Sequence, residues 1–157
     1  MPEKNESGIK ILAENRKARY NYTILETYEC GIELRGTEVK SMKDGKFSFV
    51  DSYAVIEHGE CILKSFHISP YTFGNLYNHD PDRPRRLLLH KQEIKKLYRK
   101  TEERGFTLVP LKFYLKNGRV KLELAVCQGK KSFDKRDSIK ERDMKREVAR
   151  EFRSKLY

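Results

Sequence analysis

A chain of 157 residues has room for one hydrophobic core of ordinary domain size and for some sequence beyond it. Its 34 Lys and Arg against 23 Asp and Glu give a net charge of +11, which favours a polyanionic partner, nucleic acid first, over a small neutral ligand, although 36% charged residues also suits the solvated surface of a heat-adapted protein. The widely spaced Cys30, Cys61 and Cys127, the polar start MPEKNESGIK and the lack of any run of eighteen apolar residues argue against a disulfide framework, a zinc site, secretion and a membrane span, and fit a reducing cytoplasm.

Residues 1–13 show no periodic pattern and are expected to form a loose leader. Asn15 is placed to cap a short basic turn, Arg16-Lys17-Ala18-Arg19-Tyr20, after which Tyr22, Ile24 and their successors look extended. A strand is expected from Ile32 to Arg35. Thr37 would then cap a helical turn carrying Val39 and Met42 and closed at Asp44-Gly45. From Phe49 to Ile68, two extended segments flank Glu57-His58-Gly59-Glu60 and predict a hairpin, with Val50, Tyr53 and Val55 on one arm and Ile62, Leu63 and Phe66 on the other.

In NHDPDRPRR, Pro81 and Pro84 remove backbone donors and disfavour helix, so a basic surface loop is expected, ending in a buried run at Leu87, Leu88 and Leu89. Between His90 and Arg104 the apolar Ile94, Leu97 and Tyr98 recur at helical spacing, and Gly105 is placed to end an amphipathic helix. Asn117-Gly118 then sits between LKFYLK and RVKLELAV, where Val120, Leu122, Leu124 and Val126 alternate with other residues; this is a β-hairpin signal. The expected fold is mainly β: a closed Greek-key β-barrel of oligonucleotide-binding type over residues 14–128, with about three peripheral helices. Periodicity leaves the strand order open.

Residues 129–157 hold eleven Lys and Arg against six Asp and Glu. Their few apolar residues cannot stabilise a separate domain, so this basic C-terminal tail is expected to be disordered when free. A latent helix is nevertheless present. Ser138 with Glu141 matches a capping box, Met144, Val148 and Phe152 share one helical face, and phosphates would screen the repulsion between cations. The alternative is a solvated basic extension without a defined partner.

No H-E-x-x-H, G-x-S-x-G, P-loop or dinucleotide motif occurs, so a metal centre, an activated serine and a nucleotide-hydrolysing engine lack support. A small RNA-cleaving enzyme could still be assembled from His67 or His79, a lysine and Glu29 or Glu38, because acid–base pairs need only spatial proximity.

The stretches NRKARY (15–20), Glu29-Cys30-Gly31, GTEVKS (36–41), DSY (51–53), HISPY (67–71), HDPDRPRRLLLHKQEI (79–94) and GKKSFDKR (129–136) occur together and in order. Through them the chain resembles the SsrA-binding protein family, also known as small protein B. The resemblance implies a non-enzymatic adaptor without a cofactor. Its barrel would grip the tRNA-like domain of transfer-messenger RNA, and its tail would become helical in the empty mRNA channel of a stalled ribosome, in place of a codon–anticodon pair. The implied partners are that RNA and the ribosome, through small-subunit RNA, the decoding centre and the mRNA channel. Alanyl-tRNA synthetase and elongation factor Tu are implied only through the charged RNA, and the adaptor would act as a monomer away from any membrane.

By the same resemblance, Arg16, Lys17, Arg19, Lys40 and Lys46 would meet phosphates, Ser41 belongs to the same RNA surface, and Asn15 would shape the turn or hydrogen-bond RNA. Glu29 would accept hydrogen bonds from base edges or 2′-hydroxyls, or orient an arginine, unless it forms an ordinary strand salt bridge. Tyr20 stands where the family commonly carries histidine; it keeps base stacking but cannot become cationic near neutral pH. Arg83, Arg85 and Arg86 are weaker candidates for RNA contact. Gly129, Lys130 and Lys131 would form the hinge and first anchor of the tail, followed by Asp134, Lys135 and Arg136. Ile139, Met144 and Val148 would then face the channel wall, with Lys140 and Arg142 on phosphates. Cys30 and Cys127, where alanine is typical, are expected to pack. The competing function is a general RNA chaperone or ribosome-associated RNA-binding protein that uses the same basic surface.

Overall fold

The computed structural model describes residues 8–74 and 77–129 and the single position Arg146. The expected tail helix and its disorder when free therefore lie outside the described residues.

Six antiparallel strands close into a ring. The hairpin predicted at Asn117-Gly118 joins β8 (Thr107–Lys116) to β9 (Arg119–Gly129), and both turn residues take the positive φ that a two-residue hairpin turn requires. β9 pairs along its length with β2 (Tyr22–Ile32), β2 with β7 (Arg85–Leu88), and β7 with β5 (Glu60–Lys64). β5 forms the second predicted hairpin with β4 (Tyr53–Glu57), which returns to β8. The ring is closed but unevenly walled. β4 meets β8 only at Ala54 opposite Leu108, and β7 meets β2 only at Leu87 and Leu88. A two-stranded ladder of β3 (Phe47–Ser48) and β6 (His67–Ile68) lies apart from it.

Within residues 8–129, three helices are described beside the ring: α1 (Arg16–Asn21), α2 (Gly36–Lys43) and α3 (Lys91–Glu102). The core follows from the alternation in β9. Val120, Leu122, Leu124 and Val126 point inward with Leu63, Leu87 and Leu108, and Phe66 stacks on Phe113 with centroids 4.9 Å apart. The other face of β9 is also buried near its end, because α1 lies on it: Ala125 and Cys127 pack with Ala18, Val109 and Leu111. All three cysteines are buried and free, and burial pushes the Cys61 thiol up to about 12 and that of Cys127 up to about 11. Cys30 and Cys127 pack as expected.

Several expectations are corrected. The leader is not loose throughout, since β1 (Ile9–Glu14) pairs with Lys112–Lys116 of β8; its register with a distant strand, not its own weak alternation, orders it. No strand runs from Ile32 to Arg35: β2 ends at Ile32, and Arg35 occupies the N-cap of α2, where its backbone N–H donates to Glu38 Oε1 at 2.8 Å. Thr37 is thus inside the helix. Val50 lies in an exposed turn before the β4–β5 hairpin. Leu87 to Leu89 is no continuous buried run, because Leu87 faces the core and Leu88 faces out, as successive residues of a strand must. Gly129 is the last residue of β9, opposite Tyr22, so the hinge expected there would have to follow it.

Candidate nucleic-acid interface

The basic turn is built from the inside. Asn15 Oδ1 accepts from the backbone N–H of Ala18 at 3.2 Å, its Nδ2 donates to the Pro110 carbonyl at 3.4 Å, and its own backbone N–H donates to the Leu111 carbonyl at 2.6 Å. Both ends of the buried amide are therefore engaged within the protein, as the turn-shaping role expected of Asn15 requires. Ala18 fits against the outer face of the sheet because a larger residue would hold the helix away. With position 18 inward, Arg16, Lys17 and Arg19 point to solvent and Tyr20 is half-buried at the helix end. A concave pocket of about 490 Å³ runs from Lys17, Asn21 and Tyr22 to Asp51 and Tyr53, and a second groove lies beside Arg16 and Arg19. Ser52 of the DSY stretch is turned inward, donating from Oγ to the Phe49 carbonyl at 2.6 Å.

Glu29 stands elsewhere, seven residues along β2 from Tyr22 and so about 23 Å away at the usual rise of a strand. The Tyr114 hydroxyl donates to its Oε2 at 2.7 Å, and Lys116 Nζ approaches its two oxygens at 3.3 and 3.4 Å. The Tyr114 hydrogen bond, joined by Lys116, holds the Glu29 carboxyl below the usual carboxylate range, while burial and Glu29 raise the Tyr114 phenol. An aimed, ionised carboxylate results, and 44% of its side chain is exposed. The expected salt bridge is thus present, with Lys116, and the partly exposed carboxylate keeps lone pairs free to accept further hydrogen bonds. Tyr114, which orients the group, went unmarked in the sequence because it lies 85 residues from Glu29.

The third group is on α2 and the turn that follows it. Lys40 and Lys46 are exposed, but Ser41 is buried, because α2 turns Glu38, Ser41 and Met42 to one side. Ser41 is therefore corrected from an RNA contact to a packing position. The NHDPDRPRR stretch is corrected more deeply. Arg85 is fully buried. Its Nε donates to Glu38 Oε2 at 2.6 Å, its Nη2 to the Asp80 and Pro81 carbonyls at 3.3 and 3.1 Å, and its guanidinium lies 5.2 Å from the Phe66 ring centroid. Arg83 also donates to Glu38. Burial alone would raise the Glu38 carboxyl, but hydrogen bonds from Arg83, the Arg35 backbone and Arg85 outweigh it and hold the group below its ordinary value. Only Arg86 of the three arginines is strongly exposed, and it pairs with Glu33 at 2.7 Å.

These contacts also bear on cleavage chemistry. His79 is buried, with Nδ1 2.9 Å from the Thr37 hydroxyl and Nε2 2.9 Å from the Ile68 carbonyl, and Glu38 is held by two arginines; both serve the fold. His67 lies on the surface against Asp82 at 2.8 Å. Among the described residues no cluster of three His, Cys, Asp or Glu could hold a metal ion, and no helix is long and apolar enough to cross a membrane. The predicted tail residues from Lys130 to Met144 lie outside the described residues.

The family model described as SmpB protein matches residues 12–154. The SsrA-binding protein of Treponema denticola is 57% identical over 148 residues, covering 94% of this chain and 96% of the relative. That of Caldanaerobacter subterraneus subsp. tengcongensis is 56% identical over 152 residues, covering 97% and 96%. A solved structure described as "tmRNA-SmpB: a journey to the center of the bacterial ribosome" is similar with a TM-score of 0.64 and 51% identity, over 76% of this chain and 85% of that one.

Proposed function

Because the chain belongs to the SmpB protein family, we propose that it binds the tRNA-like domain of transfer-messenger RNA and delivers it to stalled ribosomes for trans-translation in the cytoplasm. The observation that carries the RNA-binding half is the α1 turn: Asn15 and Ala18 fix it to the sheet, and the three cations Arg16, Lys17 and Arg19 are left exposed. Arg16, Lys17 and Arg19 take phosphates and set the register, while Lys40 and Lys46 take phosphates from a second direction. Glu29 accepts from a 2′-hydroxyl or a base edge, contacts that a phosphate-only binder does not need.

The protein acts by holding and placing RNA, and peptidyl transfer belongs to the ribosome. The basic segment after Gly129 enters the empty mRNA channel, Lys130, Lys131, Lys135, Arg136, Lys140 and Arg142 meeting ribosomal phosphates with Asp134 orienting a cation. Ile139 and Met144 supply apolar contact with the channel wall. The full chain should retain its preference for the labelled tRNA-like domain over an unrelated folded RNA of equal length as salt is raised to a moderate concentration, where nonspecific phosphate binding weakens by orders of magnitude. Equal competition by the unrelated RNA would leave only a general RNA chaperone.

A further inference from the structure

The loop from Ser69 to Gly74 presents an aromatic ring to solvent in a way the core does not explain. Phe73 is 80% exposed, although nearby Phe66 is fully buried. The loop that carries it is built firmly. Asn78 clamps it from the side, accepting from the Tyr71 backbone N–H at 3.1 Å and donating to the Tyr71 carbonyl at 2.8 Å. The Gly74 N–H donates to the same carbonyl at 2.9 Å, and the Ser69 N–H donates to the Lys46 carbonyl at 3.0 Å. A Cβ on Gly74 would come within 2.7 Å of the clamping Asn78 amide and 3.2 Å of the Tyr71 carbonyl, so a side chain there would push against the clamp.

Tyr71 meets Phe73 edge to face, with centroids 5.7 Å apart and ring planes at 68°, a favourable arrangement that sets the angle of the exposed ring. Lys40 Nζ lies 5.5 Å from the Tyr71 ring centroid, and Lys46 Nζ lies 3.4 Å from the Thr72 hydroxyl. Two cations thus flank one outward-facing aromatic surface.

A flat, apolar, π-rich ring carrying a negative charge within a few ångströms is the ligand this arrangement fits, and a nucleotide has that form. An apolar protein partner would satisfy Phe73 but leave the lysines unmatched. A base inside a duplex has both faces covered, so the occupant must be unpaired or extruded. We propose that Phe73, angled by Tyr71 and flanked by Lys40 and Lys46, stacks on an unpaired base of the transfer-messenger RNA. The proposal rests on the RNA-binding reading above, because Lys40 and Lys46 belong to that surface and make this platform continuous with it.

The test uses the full chain and the labelled tRNA-like domain of transfer-messenger RNA. Phe73→Leu keeps an apolar side chain of similar reach and removes the π face; its affinity should fall about fivefold or more, with the salt dependence unchanged. Lys40→Gln should instead lower the slope of log K against log salt by roughly one. Phe73→Trp places a sole tryptophan in a chain that has none, and its emission should be quenched on RNA binding while affinity is kept. Wild-type affinity in Phe73→Leu, or unaltered emission from Phe73→Trp at saturating RNA, overturns the stacking platform and leaves the RNA-binding reading standing. No preference by the wild-type chain sinks both. Because Phe73 is so exposed, the thermal midpoint should not move with either substitution.

Discussion

Replacing Glu38 with alanine should cost about 3–5 kcal/mol of stability in urea unfolding, the range expected when one partner of a buried ion pair is removed. The cause is the group left behind. Arg85 is fully buried and permanently charged, and its carbonyl acceptors at Phe66, Asp80 and Pro81 supply dipoles but no counter-charge. Glu38→Gln keeps the shape and should fall between wild type and the alanine variant. The carboxyl also sets an acid limit. Its folded pKa lies below the ordinary value, so its contribution is complete above the unfolded pKa and is lost as pH falls through the folded one. Stability should therefore decline below about pH 4, and Glu38→Gln should remove that part of the decline. An alanine variant within 1 kcal/mol of wild type, on the same scale, would mean that the arginines find water instead. The hub matters beyond stability, since α2 carries Lys40 on its outer face and Glu38 on its inner one. Loosening it would misplace the lysine.

The second large effect is expected at α1. Changing Arg16, Lys17 and Arg19 together to glutamine should lower affinity for the tRNA-like domain about a hundredfold near 0.1 M salt and reduce the salt slope by roughly two to three, since each phosphate contact contributes about 0.7–0.9 to that slope. All three side chains are exposed and the anchors Asn15 and Ala18 are untouched, so the fold should be unaffected. Affinity read at several salt concentrations by fluorescence anisotropy separates this from misfolding. A folded variant that binds weakly with the wild-type slope would show that these cations do not meet phosphates.

What could be read from the sequence was local. Asn117-Gly118 announces its hairpin because the turn requires positive φ at both positions, and Asn15 announces α1 because a cap reaches only three residues ahead. The amphipathic spacing of Ile94 and Leu97 likewise marks α3, and Leu97 is buried. What the sequence concealed depends on partners far along the chain. Arg85 follows a proline within a basic stretch, the usual look of a solvated loop, and its partner lies 47 residues earlier. Glu29 gains its aim from Tyr114, and β1 gains its order from β8. Ser41 was legible only as part of a shared motif, which marks a position without saying which way its side chain turns. The family itself was readable because seven short stretches recur in order, although each alone is unspecific.

The proposed division of labour gives RNA recognition to the folded ring and work on the ribosome to the basic segment beyond it. The direct test compares the full chain with one ending at Gly129, the last residue of β9, for binding to the tRNA-like domain at two salt concentrations against an unrelated folded RNA. Both should prefer the tRNA-like domain similarly, and only the full chain should support tagging of stalled nascent chains. Loss of the preference with residues 130–157 would contradict that division and make that segment the RNA anchor.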